Sequence, residues 1–175
     1  MRFHIQFLLA ALITVTVGSV QAQVPEYLGK YKSTPEDIQA ITKVSEDFKT
    51  ALINKDTVLL SSLILNSSIL FSSAPAPEHI KNIRKKMDSN FDGIFSGGVP
   101  SFYQFLSTEK MPIEEKFYNL KITQDDNMAW VVFDYEFQMD HKTQNYGIEN
   151  WQLIKNADDQ WKIISVVWSV HMAGK

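Results

Sequence analysis

Glu149 and Tyr135 are the residues whose types could do chemistry in this chain. Each lies in a run that alternates apolar and polar residues, Glu149 in "YGIENWQLIK" and Tyr135 in "DNMAWVVFDYEF". A carboxylate on a buried face loses its water, so its pKa rises and it can serve as a general base near neutral pH. A phenol beside it could hydrogen-bond a developing enolate. The plainer role for Glu149 is structural, paired with a lysine or with backbone at a strand end. His171 is a third candidate, although a histidine so close to the end of the chain is solvated if the terminus frays.

Other chemistries lack their residues. His4, His79, His141 and His171 show neither an H-x-x-x-H nor an H-E-x-x-H spacing, so no metal site is expected. The sequence has no cysteine, which excludes disulfides, thiolate catalysis and thiolate metal sites. Asp125-Asp126-Asn127 is a hairpin turn rather than a calcium loop, because the rest of the twelve-residue pattern is missing. There is no Gly-x-Ser-x-Gly, phosphate loop or dinucleotide fingerprint, and no cofactor is expected. Lys81, Arg84, Lys85 and Lys86 form a solvated helix face.

The elements that must position these residues come in two groups. "STPED" (residues 33–37) starts a helix with a hydroxyl cap, an early proline and carboxylates at the positive end of the dipole. Ile38, Ile41, Val44, Phe48, Ala51 and Leu52 then recur at steps of three and four. Asp56 can cap a second short helix, a strand follows near residues 68–73, Pro77 opens a further helix, and Pro100 starts a helical turn bearing Phe102, Phe105 and Leu106. From Ile113 the period changes to two, and strands separated by short turns run to the end of the chain. Such spacing predicts an antiparallel meander, and helices followed by a meander predict an α+β domain.

Met1, Arg2 and His4 precede an apolar run over residues 5–17, and Val20 and Ala22 have the small-residue spacing that a signal peptidase accepts. The run is shorter than the roughly 20 residues of a spanning helix, so residues 1–22 are expected to be a removable signal peptide. Residues 23–33 would be an N-terminal extension, 34–172 one domain, and the location periplasmic or secreted, with no membrane association after cleavage. Without Arg2, the 17 basic residues become 16 against 20 acidic, a formal charge of −4 that argues against a general nucleic-acid surface.

The segments "EDFKTALINKDTVLLSSLI", "DNMAWVVFDYEF", "YGIENWQLIK" and "DDQWKIISVVWS" resemble the nuclear-transport-factor-2-like superfamily, nearest to its SnoaL-like and kinase-association-domain-like branches. The resemblance implies a cone-shaped, strongly curved antiparallel sheet wrapped around the N-terminal helices (the cystatin-like arrangement), with a pocket at the wide end. It also implies, in many members, dimerisation through the outer surface of the sheet. Members include ketosteroid isomerase, scytalone dehydratase and polyketide cyclases, but also binding and assembly modules, so fold alone does not decide function. Kinase-association relatives carry a histidine two residues before the serine of the closing strand; here Val167 stands there, which weakens both catalysis and peptide binding of that kind.

The resemblance also implies that the Trp and Ile of a W-x-I element face the helices. Trp161, Ile163, Ser165, Val167, Ser169 and His171 would then point inward and the apolar row Ile164, Val166, Trp168, Val170 and Met172 outward. That row would form a homodimer interface unless the tail or residues 24–32 cover it. The opposite parity, with Trp168 in the core, is the alternative. On the first parity, the pocket is lined by Phe105, Tyr118, Phe133, Tyr135, Phe137, Glu149, Trp151, Ser165, Val167 and Ser169, with Glu149, Tyr135 and His171 as catalytic candidates. Three functions fit: a binding domain for a small apolar or amphipathic ligand, a cofactor-independent isomerase, dehydratase or cyclase, and a protein assembly module.

Overall fold

In the computed structural model, which describes residues 24–174, helix α1 spans Pro35–Asn54 and starts at the expected cap. The Thr34 hydroxyl accepts from the Asp37 N–H at 3.1 Å, and Pro35 opens the first turn. The helix stops at Lys55, whose left-handed φ of 53° lets its N–H return to the Ala51 and Leu52 carbonyls. Asp56 then accepts from the N–H groups of Val58 and Leu59 and caps α2, Thr57–Leu63. The segment expected to be a signal peptide lies outside the described residues. Residues 24–30 belong to a separate unit, an exposed turn in which the Leu28 N–H reaches the Pro25 carbonyl and Lys30 pairs with Glu26.

Strand β1, Leu70–Pro75, leads into α3, Pro77–Lys86, and then α4, Gly98–Thr108, which begins two residues before Pro100. The meander follows as β2, Ile113–Asp125; β3, Met128–Met139; β4, Lys142–Lys155; and β5, Trp161–Met172. The sheet order is β1-β5-β4-β3-β2, curled and open, with antiparallel pairs throughout the meander. The first strand is the exception: β1 adds to β5 in parallel, which is possible because two helices and the whole meander separate them in the chain. The buried stripe of α1, with Leu60, Leu63 and Leu106 from the later helices, packs on the concave face of the sheet around Phe48, Phe133 and Trp151.

Bulges in β2 and β5 decide which side chains of those two strands enter that concave face, and a third irregularity leaves Gln144 of β4 without a partner in β3, between Thr143 and Asn145. In β2, Tyr118 pairs with Asp134 and Lys121 with Val132, so Asn119 and Leu120 together oppose one residue of β3. Asn119 takes φ 55°, a left-handed conformation that Asn accepts more readily than most residues. The inward set is therefore Ile113, Glu115 and Phe117 before the bulge, and Leu120, Ile122 and Gln124 after it. In β5, Ser165 pairs with Gln152 but Ile163 with Leu153, leaving Ile164 as the extra residue.

That second bulge corrects the expected faces of the closing strand. Trp161 and Ile163 point inward as expected, but beyond Ile164 the phase is reversed. Val166 and Val170 are buried and Trp168 packs edge-on to Phe71 at 4.9 Å, whereas Val167 is 37% exposed. Ile164, Val166, Trp168, Val170 and Met172 do not form the one outer row expected of them: Val166 and Val170 are buried and Met172 is exposed. A strict two-residue period fails wherever one strand carries an extra residue.

The inward Trp161 also fastens the start of α1 to the sheet. Its indole nitrogen donates to Asp37 at 3.0 Å, and the same carboxylate accepts from Lys155 at 3.0 Å, Gln124 at 2.8 Å and the Thr34 hydroxyl at 3.1 Å. Burial raises the Asp37 pKa, but these four donors outweigh it and bring the carboxyl down to about 2.

Candidate functional site

A cavity of about 200 Å³ opens between the helices and the concave face. Phe48 of α1, Phe71 of β1, and Phe102 and Phe105 of α4 form its helix side and one end. The sheet contributes Glu115 of β2, Tyr135 and Phe137 of β3, Asn145 and Glu149 of β4, and Val166 and Trp168 of β5. These strands present neighbouring residues: Glu115 pairs with Phe137, Phe137 with Asn145, and Glu149 with Trp168. Space between the rows is helped by Gly147, opposite Tyr135, where a Cβ would lie 2.2 Å from the Ser169 carbonyl oxygen.

The polar groups are few and unusually placed. Glu149 is only 4% exposed, and its carboxylate accepts from the Trp151 indole nitrogen at 2.5 Å. Burial raises its pKa to about 7, the Trp151 hydrogen bond working in the opposite direction. Glu115, 8% exposed, accepts no hydrogen bond among the described residues. Burial and then the charge of Glu149 push its pKa well above the usual carboxylate range. Two like charges in a confined site do not readily ionise together, so each carboxyl favours the protonated form of the other, and Glu149 is poised to gain or lose a proton near neutral pH. The Tyr135 hydroxyl is directed at the Ser169 carbonyl and the Asn145 Oδ1, each at 2.9 Å. Burial and the two carboxyls raise its pKa, so it remains a neutral donor.

The structure brings Phe105, Tyr135, Phe137 and Glu149 of the expected set to this cavity. The others lie elsewhere. Tyr118 is 46% exposed on the convex face, where it donates to Glu136. Phe133 and Trp151 are core residues behind the cavity wall, with ring centroids 5.0 Å apart. Ser165 is buried beside the β5 bulge, and Val167 faces outward because of it. Ser169 supplies its carbonyl to Tyr135 and its hydroxyl oxygen to the Ile148 N–H. His171 is exposed and stacks on Tyr146 at 5.4 Å, away from the other two catalytic candidates.

Glu115, Asn145, Phe48, Phe71, Phe102, Val166 and Trp168 complete the lining without having been expected there. One signal for Glu115 was present: it sits between Ile113 and Phe117 with their parity. A signal for Trp168 was present too: it shares its parity with Val166 and Val170, whereas the other parity carries Ser165, Ser169 and His171. Among the described residues no group of three His, Cys, Asp or Glu side chains converges as a metal site would require.

No protein-family profile matches the chain, and no curated protein matches it in sequence. Solved structures match its shape. A candidate dehydratase of the nuclear-transport-factor-2-like family from Streptomyces avermitilis superposes with a TM-score of 0.58 at 17% identity, covering 80% of this chain and 100% of that one. A nuclear-transport-factor-2-like protein of unknown function from Pseudomonas putida gives 0.59 at 10% identity over 82% and 99%. A protein of unknown function with a cystatin-like fold, from Nostoc punctiforme, gives 0.57 at 15% identity over 80% and 95%. The chain thus has the nuclear-transport-factor-2-like fold, an α+β architecture of the cystatin-like kind.

Proposed function

We propose that this protein is an exported domain that binds a small, largely apolar ligand in the cavity between α1, α4 and the concave sheet. The observation that carries this reading is the cavity itself: about 200 Å³, with seven of its eleven lining residues aromatic. An apolar cavity of roughly 150 Å³ takes up a benzene-sized molecule, so this one suits a body of about one ring. Export rests on the pattern of residues 1–22. Native mass spectrometry of the protein purified from its own source reports bound mass and oligomeric state together. A retained small molecule is expected. A ligand-free chain that also ignores single-ring probe compounds in calorimetry would refute the reading.

A second reading, cofactor-independent acid/base catalysis by an isomerase, dehydratase or cyclase, is favoured by Glu149. Its pKa of about 7 suits a group that takes and returns a proton, and a protonated Glu115 without a protein partner is a better oxyanion donor than Tyr135, whose hydroxyl is already engaged. If a substrate is found, Glu149→Gln should lower kcat by about 100-fold or more. Equal turnover by this variant would remove the acid/base role and leave the binding role intact.

A further inference from the structure

We propose that the cavity selects a small organic cation, an ammonium group carried on a body of about one ring. This inference rests on the ligand-cavity reading and names the chemistry of the ligand. The walls are a connected series of rings: Trp168 and Phe71 at 4.9 Å, Phe71 and Phe102 at 5.0 Å, Phe102 and Phe105 at 6.5 Å, Phe105 and Phe137 at 6.2 Å. Aromatic rings stabilise a desolvated cation through their quadrupoles, and cages of this composition recognise ammonium groups.

The charge balance of the cavity points the same way. Two carboxyls line it, and none of the eleven lining residues is Lys, Arg or His. The nearest cations on the same elements serve elsewhere. Lys49 and Lys116 share with Glu115 a separate cleft at the surface, where Lys49 pairs with Glu46 at 2.7 Å. Neither Glu115 nor Glu149 has an ion-pair partner within 4.0 Å among the described residues.

A buried acid is ordinarily paired or fully hydrogen-bonded. Glu115 is 8% exposed, borders the cavity and takes no ion pair or hydrogen bond from the described residues; no fully buried side-chain oxygen among them lacks a partner, so its carboxyl is open to what occupies the cavity or the neighbouring surface cleft. The Tyr135 proton is committed to Ser169 and Asn145, so it does not neutralise the acids. A ligand bearing positive charge supplies the missing partner. A neutral ligand leaves the acids as they are, and an anion adds negative charge beside two acids that already resist ionising together.

Calorimetry with 2-phenylethylammonium, 2-phenylethanol and phenylacetate tests this, because the three share one body and differ in charge. The ammonium is expected to bind wild type at least about tenfold more tightly than the alcohol, and phenylacetate most weakly. The Glu115→Gln/Glu149→Gln double variant is expected to erase that preference, its affinity for the ammonium falling at least about tenfold. The wild-type ranking is decisive even if the double variant fails to fold. Equal affinity for ammonium and alcohol, or a preference for phenylacetate, overturns the cation assignment and leaves a ligand cavity. Failure of all three to bind overturns both.

Discussion

The Trp151 indole nitrogen donates to the Glu149 carboxylate at 2.5 Å, two residues along the same strand, so the least exposed acid of the cavity is tied to the largest buried side chain of the core. The bond favours the ionised form but does not offset burial, and the Glu149 pKa lies at about 7 against an ordinary 4.5. The folded state therefore binds this proton more tightly than the unfolded chain does. Stability from this group is fully present below pH 4.5, declines as pH rises toward 7, and levels off above it.

Glu149→Gln keeps the shape of the side chain and removes the titration. The variant should match wild type near pH 4.5 and exceed it above pH 7 by on the order of 3 kcal/mol. Urea unfolding of both proteins across pH 4.5 to 8 checks the sign. A wild-type curve that gains stability over that window would contradict it.

Asp37 works in the opposite direction and in a different window. Its carboxyl sits at about 2 instead of 3.8, so the stability it contributes is present above pH 3.8 and is lost as pH falls through 2. Asp37→Ala leaves the Trp161 and Lys155 donors without their acceptor and should destabilise the protein by about 3 kcal/mol at neutral pH. It should also flatten the acid limb of the stability curve. Denaturation midpoints from pH 2 to 7 measure both effects.

The face reversal in β5 can be read from two adjacent valines. Val166 is 1% exposed and Val167 is 37% exposed. Val166→Asp should cost at least about 4 kcal/mol, through a buried unpaired charge, and Val167→Asp about 1 kcal/mol or less. Similar losses at both positions would argue against the bulge at Ile164.

Gly147 should not tolerate a methyl group. A Cβ there would meet the Ser169 carbonyl at 2.2 Å, the same oxygen that accepts from Tyr135. Gly147→Ala is expected to cost more than about 2 kcal/mol and to change the near-ultraviolet circular dichroism as the strands part. An unchanged melting temperature would show that β4 and β5 can separate at this point without loss.

Much of the scaffold was legible in the chain because its signals are local. Thr34, Pro35 and Asp37 declare the start of α1, Asp56 declares α2, and the two-residue period with short turns declares the meander. Caps and periods act over a few residues, and the side chains that cause them sit within one turn or one strand. The cavity depends on register between distant strands. Asn119 and Ile164 each insert one residue into a ladder, and each insertion breaks the two-residue parity of its strand, so that Glu115 rather than Tyr118 and Trp168 rather than Val167 face inward. Within β5, Ser165, Ser169 and His171 share one parity and the apolar row the other, but the buried Trp161 and Ile163 lie on the parity of the serines, so no single period shows the switch at Ile164. Glu149 and Tyr135 could be named from type and parity; that Glu149 meets a second acid from β2 in an aromatic enclosure was decided only when the strands paired. Local sequence sets which elements form, and the extra residues accommodated in tertiary pairing set what faces the hollow.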